Sequence, residues 1–336
     1  MCAFPNEAQT MAMRETVANK PRFIEKTEMK GQRAWRSWAW LVLLVLSVAA
    51  GASAQGSSYH LLKRIPLGGE GRWDYLTVDS AARRLYIARA TRVMVVDADT
   101  GSPIGEIVDT PGVHGVALAP EFGRGFASNG RAATVTIFDL KTLKTLGQVK
   151  TGDNPDAILY DTASKRVFTF NGGSKDATAI GAASGSVVGT VPLGGKPEFA
   201  VSDGGGRLYV NLEDKGEVLV LDAQKLTVLK RWPLAGCEEP SGMAIDVKYR
   251  RLFSGCSNKV MAVTDADTGR VISTVPIGAD VDANAFDPDT ALAFSSNGEG
   301  TLTVVHEDSA DKFLIQAAAS VMIEQFFTLK YHRVIQ

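Results

Sequence analysis

Between residues 58 and 316 the chain alternates apolar and polar positions in short runs, and Gly, Asp, Asn and Ser punctuate it about every 8–12 residues. In the first such stretch the runs are YLTVD, RLYIA, RVMVVDA and IGEIVD. A period of two sends successive side chains to opposite faces, which is strand patterning, and the Val, Ile, Thr and aromatic content agrees with it. No helical period is sustained beyond a turn in this region. The pattern predicts all-β structure.

The runs recur as a set. VVDADTG (95–101), IFDLKTL (137–143), AIGAASG (179–185), VLDAQKL (220–226), VTDADTG (263–269) and VVHEDSA (304–310) share one register, which aligns Asp97, Asp139, Gly181, Asp222, Asp265 and His306 at a spacing of 41–43 residues. A second landmark, LTVDSAARRLYIA (76–88), recurs at the same spacing. Repeats of about 40–45 residues with four strands each are the signature of a β-propeller.

That period decides the meaning of the two Asp-Thr-Gly motifs, at Asp99 and Asp267. Paired Asp-Thr-Gly motifs suggest an aspartic protease, whose two carboxylates share one proton. Here the two motifs lie four repeats apart, and other repeats place Lys141, Ala183, Gln224 and Asp308 at the same position. Arg270 also follows the second motif where a protease needs Ser or Thr. Gly supplies a positive φ, and Asp and Thr side chains bond turn amides, so the motif is read as a turn.

GDNPDAILYDTASKRVFTFNG (152–172) and GKPEFAVSDGGGRLYVN (195–211) resemble the YVTN-repeat propellers, the YncE-like family of exported bacterial proteins. The resemblance covers roughly residues 58–316 and implies a seven-bladed propeller with no common catalytic activity. It is a strong marker of fold and a weak one of function. The chain departs from the pattern at its end. Six inner-strand segments are present, and the repeat stops after DKFLIQ (311–316), as truncation or a shifted reading frame would produce. The expectation is a propeller over 55–316 whose last blade is incomplete, with YHLLKRIPL (59–67) as the outer strand of a further blade. Residues 317–336 form a non-repeat tail in which Val321, Met322, Phe326 and Leu329 recur near helical spacing, predicting a short amphipathic helix.

The N-terminus belongs to targeting. Lys30, Arg33 and Arg36 precede an apolar run that ends in Ala52-Ser53-Ala54. This is the pattern of a secretory signal, with cleavage expected between Ala54 and Gln55. The alternative is an uncleaved anchor, although about 17 apolar residues is short for a bilayer span. Residues 1–54 hold seven of the 36 Lys/Arg and four of the 37 Asp/Glu, so the remaining chain carries a net charge of −4. It has no basic run, which argues against nucleic-acid binding. A periplasmic or secreted monomer, free of the membrane after cleavage, is expected.

Counting back from the Asp landmark puts Asp74, His114, Asp156, Glu198, Ser241 and Asp282 at the start of successive inner strands, converging on one channel mouth. Four carboxylates, an imidazole and a hydroxyl there can bind a ligand or hold Ca²⁺ or another hard cation, and crowding raises carboxylate pKa values. The other reading is a solvated polar rim with no cofactor. Asn129, Asn171, Asn211, Asn258 and Asn297 read as ends of second strands, and Arg72 and Trp73 as a cation and a stacking surface by the mouth. Cys237 and Cys256 fall on one face and, in an exported protein, predict a disulfide. His60, His114, His306 and His332 are too scattered for a zinc site, and there is no haem-attachment or phosphate-loop motif. The resulting expectation is a binding scaffold for a ligand or protein partner, without catalysis. The alternative is a lactonase-like hydrolase using a divalent cation at the mouth.

Overall fold

The computed structural model describes residues 63–320 apart from Gly69, together with the short strands Thr328–Leu329 and Val334–Ile335. The signal region with its cleavage point at Ala54–Gln55 lies outside the described residues, as do residues 59–62, His332 and 321–327.

Alternation folds as expected into six antiparallel sheets of four strands. Blade 1 runs from the inside outward as Trp73–Asp79, Arg84–Arg89, Arg92–Asp97 and Pro103–Ile107. The inner strands of blades 2 to 6 are Val113–Ala119, Pro155–Asp161, Pro197–Ser202, Pro240–Asp246 and Val281–Asp287. Each inner strand packs beside the next, from blade 1 to blade 6. Among the described residues no helix is long and apolar enough to cross a membrane, which says nothing of a β-barrel.

The core is built at the junctions. Tyr86, Val95, Val113 and Phe138 fill the space between blades 1 and 2, and Phe168, Phe170, Leu208 and Leu221 that between blades 3 and 4. Two further clusters lie on faces turned away from any blade neighbour. Leu292, Phe294, Leu302 and Val304 form the one on blade 6, and Leu85, Ile87, Met94 and Val96 the one on blade 1.

Arginine ties the junctions at the rim opposite the mouth. The second strands begin with Arg84, Arg124, Arg166, Arg207 and Arg251 in one register. Arg84 donates to the Leu140 carbonyl of blade 2, Arg124 to those of Ala182 and Ala183 in blade 3, and Arg166 to those of Ala223 and Gln224 in blade 4. Arg207 pairs with Asp267 at 3.4 Å and Arg251 donates to Ala310 O at 2.6 Å. Blade 6 has Leu292 at this position.

The Asp-Thr-Gly segments are turns between third and outer strands. Asp97 Oδ1 accepts from the Asp99 and Thr100 amides and the Thr100 hydroxyl, and Asp265 repeats the arrangement with Asp267 and Thr268. Asp99 and Asp267 are exposed partners of arginines.

Three expectations change at the ends. Six blades are present among the described residues rather than seven, and the place after blade 6 holds a two-stranded ladder of Thr328–Leu329 with Val334–Ile335. Its first strand touches the inner strands of both blade 1 and blade 6. The outer strand of blade 6, Lys312–Ser320, continues past residue 316, so residues 317–320 are strand; with Thr328–Leu329 also extended, the described part of the tail is not helical. Residues 63–68 join no sheet, so they are not the outer strand expected of 59–67. Instead Leu67 packs on the apolar face of blade 1. Ile65 lies against Gly101 and Lys63 donates to Thr100 O at 3.0 Å, so side chains rather than a strand ladder hold the segment there.

Candidate functional site

Every inner strand carries a β-bulge at the same place. Two of its residues oppose one on the second strand: 74–75, 114–115, 156–157, 198–199, 241–242 and 282–283. The first residue of each pair is Asp74, His114, Asp156, Glu198, Ser241 or Asp282. All six sequence candidates therefore share one structural position at the channel mouth. A bulge interrupts alternation and re-aims side chains, so the second residue is also turned from its regular face. That residue is Tyr75, Gly115, Ala157, Phe199, Gly242 or Ala283. Only two of these are large. The rings of Tyr75 and Phe199, from blades 1 and 4, meet edge to face at 5.1 Å across the channel. They form its floor. At Gly242 a Cβ would lie 2.5 Å from Asp282 O, so the approach of blades 5 and 6 excludes a side chain there.

The polar groups above this floor differ in how they are engaged. His114 Nδ1 lies 2.7 Å from Asp74 Oδ2 and 3.6 Å from Asp156 Oδ1. Lys196 reaches in from the preceding loop to Glu198 Oε2 at 3.1 Å and also pairs with Glu213. The Ser241 hydroxyl donates to Val281 O at 2.9 Å and is spent on linking blades. Asp282 has no hydrogen-bond or ion-pair partner among the described residues. Burial, followed by the charges of Asp74 and Glu198, pushes Asp282 up to about 6. Burial also raises Asp156, with Glu198 and Asp74 adding to it and His114 opposing. For His114 burial disfavours the charged form, but the Asp74 hydrogen bond and the charges of Asp156, Asp74 and Glu198 outweigh it, and its pKa rises. Glu198 is raised by burial, against the pull of Lys196. The Tyr75 hydroxyl stays protonated well above the usual range, through burial first and then the charges of Asp156, Asp282, Glu198 and Asp74. The mouth is thus acidic, with its carboxyls raised above their ordinary range, and closed below by aromatic rings.

Among the described residues no three His, Cys, Asp or Glu side chains are arranged to hold an ion, whereas Ca²⁺ takes six to eight oxygens. On the same face, Arg92, Glu106, Asp109 and Gln148 line an open groove of about 540 Å³ between blades 1 and 2.

Other candidates settle elsewhere. Asn129, Asn171 and Asn297 end their strands but are buried, donating to Thr136, Thr178 and Thr303 within their own blades at 2.8, 2.9 and 3.1 Å. Asn211 precedes the strand end, which is Leu212, and donates to Ser241 O. Asn258 lies in the turn beyond Cys256, the residue that holds the strand-end register in blade 5. Trp73 packs in the apolar cluster of blade 1, with the Arg89 guanidinium 4.0 Å above its ring. His306 sits beside Asp308 at the opposite rim. Cys237 and Cys256 are bonded, with Cα atoms 5.3 Å apart. The floor residues Tyr75 and Phe199 were not apparent from sequence, because strict alternation assigns them to the blade junctions.

No protein-family model matches the chain, and no curated protein matches it. Solved structures do. The U3-55K structure is 12% identical with a TM-score of 0.66, covering 76% of this chain and 84% of its own. The RRP9 WD40 repeats are 11% identical at 0.66, covering 77% and 83%. Hydrazine synthase of Kuenenia stuttgartiensis is 17% identical at 0.51, covering 76% and 99%. At these identities the likeness is one of fold. The chain has the β-propeller fold, with six blades among the described residues.

Proposed function

We propose that this chain is a binding scaffold whose acidic mouth receives a cationic group, an ammonium or guanidinium presented by a partner protein or a small amine. The observation that carries this reading is the ring of four carboxylates set by equivalent bulges over the Tyr75–Phe199 floor. A cation there relieves carboxylate repulsion and meets an aromatic surface. It does not need the close three-donor set that a metal ion requires. The groove between blades 1 and 2 gives a larger partner a second contact on the same face. Export to the periplasm or medium, as a YVTN-repeat (YncE-like) protein acting as a monomer, belongs to the same reading.

The test is thermal unfolding with arginine amide, lysine amide, choline and Ca²⁺ as separate probes, on wild type and on an Asp156→Asn, Asp282→Asn double variant. The organic cations should raise Tm in the wild type and much less in the variant. A ligand at 100 times its Kd adds about 2.7 kcal/mol. A rise with Ca²⁺ alone would move the reading to the metal-dependent alternative, and no rise with any probe would leave a polar rim. The second reading, a lactonase-like hydrolase, rests on the 2.7 Å His114–Asp74 contact as a base with its orienting carboxylate. Hydrolysis of a lactone panel that His114→Gln abolishes would establish it.

A further inference from the structure

Glu307 lies one residue beyond His306, the last position of the third strand in blade 6 that pairs with the second strand, opposite Leu292. The corresponding slot holds Ala98, Ala182, Ala223 and Ala266 in blades 1, 3, 4 and 5, and Leu140 in blade 2. Four alanines and a leucine suit a packed junction; a glutamate does not. Glu307 is nonetheless 2% exposed, and neither of its carboxylate oxygens has a hydrogen-bond partner.

Blade 6 also differs around this slot. Its third strand, Thr301–Ser309, is longer than the six-residue strands elsewhere, which carries the following turn outward. Arg251 of blade 5 accordingly reaches Ala310 O, whereas Arg84, Arg124 and Arg166 bond the carbonyl of the slot itself. Across the junction Asp246, 3% exposed, ends the inner strand of blade 5 and pairs in register with Arg251, whose side chain reaches Ala310 O just past the strand of Glu307. Its oxygens accept from the Lys248 and Tyr249 amides. The charged groups of blade 5 that act on Glu307 are Asp246, Arg251 and Lys248. Arg251 is already held by Asp265 at 2.9 Å, by Ala310 O and by Asp311 at 3.6 Å. Beside Glu307, Asp308 pairs with His306 of the same strand and with Lys312 at the start of the outer strand.

Two buried carboxylates with no cation between them repel, and an ionised one without a donor bears the full desolvation cost. A single shared proton turns that repulsion into a charge-assisted hydrogen bond. We propose that Glu307 and Asp246 share one proton at neutral pH and that this proton latches blade 6 to blade 5 until the solution turns alkaline. Burial first, then the charge of the Asp246 carboxylate, carry Glu307 up to about 8, with Arg251 and Lys248 opposing. Asp246 closes the same inner strand that brings Ser241 to the mouth, so the latch acts on a strand of the candidate site without belonging to it.

The sign follows from a raised carboxyl pKa. The contribution of Glu307 to stability is complete below the ordinary glutamate value and is lost as pH climbs to about 8. Urea unfolding of wild type and Glu307→Gln from pH 5 to 9.5 reads this directly. The ratio of their unfolding constants should change roughly tenfold per pH unit, against the wild type, up to about pH 8 and then level. A ratio independent of pH overturns the proposal. Carboxyl ¹³C NMR of Glu307 in the wild type gives a reading that does not depend on the variant folding. A midpoint near 8, lowered by Asp246→Asn, supports the latch; a midpoint near 4.5 overturns it. Displacement of the Glu307 signal by Ca²⁺ at pH 7 would also overturn it, by showing a metal in place of the proton.

Discussion

A bulge residue at the start of each inner strand does most to define the candidate site. The position of Asp74, His114, Asp156, Glu198, Ser241 and Asp282 was legible because a constant offset from a recurring Asp survives any local irregularity. Their neighbours Tyr75 and Phe199 were not, since two residues opposing one break the alternation on which strand reading rests. The electrostatics of these residues yield a prediction. Asp156 and Asp282 are held above their ordinary range, Asp282 to about 6. A raised acid favours the folded state below its unfolded pKa, and that advantage is lost as pH rises through the folded value. The mouth carboxylates should therefore cost stability between about pH 4 and 7. Asp282→Asn alone should stabilise the protein at pH 8, by about 1 kcal/mol once solvent screening is allowed for, and change nothing at pH 4. Differential scanning calorimetry at the two pH values checks this; equal shifts at both would show that repulsion is absent.

At the level of strands and turns, the junctions are held by side chains that the repeat itself displays. Arginine opens five of six second strands, a recurrence visible in the sequence, yet its meaning needs the partner carbonyls just past the third strand of the next blade. Arg166 gives two hydrogen bonds of 2.7 Å to Ala223 and Gln224 across the junction. Arg166→Ala should cost about 2 kcal/mol, as expected for charge-assisted bonds to partly buried carbonyls. The neighbouring type of arginine, Arg83, pairs with Asp99 in solvent, and its loss should not be measurable in the same urea titration. An equal cost for both would mean that burial of the acceptor is not what matters. The disulfide is a second fastening. It ties the loop before the inner strand of blade 5 to the end of its second strand, over a separation of 19 residues. Cys237→Ser should lower stability by about 3 kcal/mol in the chain-entropy account. Thiol labelling of the purified protein without reductant should find neither Cys237 nor Cys256, and full labelling of both would remove the bridge. The five asparagines show the limit of reading by residue type. Three end strands and bond threonines, while Asn258 is displaced from that place by Cys256, because a residue name carries no register of its own.

Across the whole molecule, fold class was legible because four-strand repeats of constant length leave little choice of architecture. The number of blades was not, since closure depends on what fills the place between blades 6 and 1. Blades 2 to 5 each bury both faces against another blade, whereas Leu85, Ile87, Met94 and Val96 of blade 1 and Leu292, Phe294, Leu302 and Val304 of blade 6 face no blade. The arginine series stops there as well, at Leu292. In a repeat array, stability is approximately a sum of unit terms and nearest-neighbour interfaces. Blades 1 and 6 each have one blade interface fewer, and the short Thr328–Leu329 strand beside both is a smaller contact than a four-stranded sheet. Local opening should therefore begin at the two ends of the row. In native-state hydrogen exchange, amides of Val93–Val95 and Leu302–Val304 should exchange through openings of lower free energy than those of Ala177–Ala179 and Val218–Val220 in blades 3 and 4. The Glu307–Asp246 junction sharpens the expectation, since raising the pH from 6 to 9 should loosen blade 6 more than blade 1. Equal protection in all six blades, unchanged by pH, would mean that the ring opens as one cooperative unit and that its sixth-to-first contact is as strong as the other five.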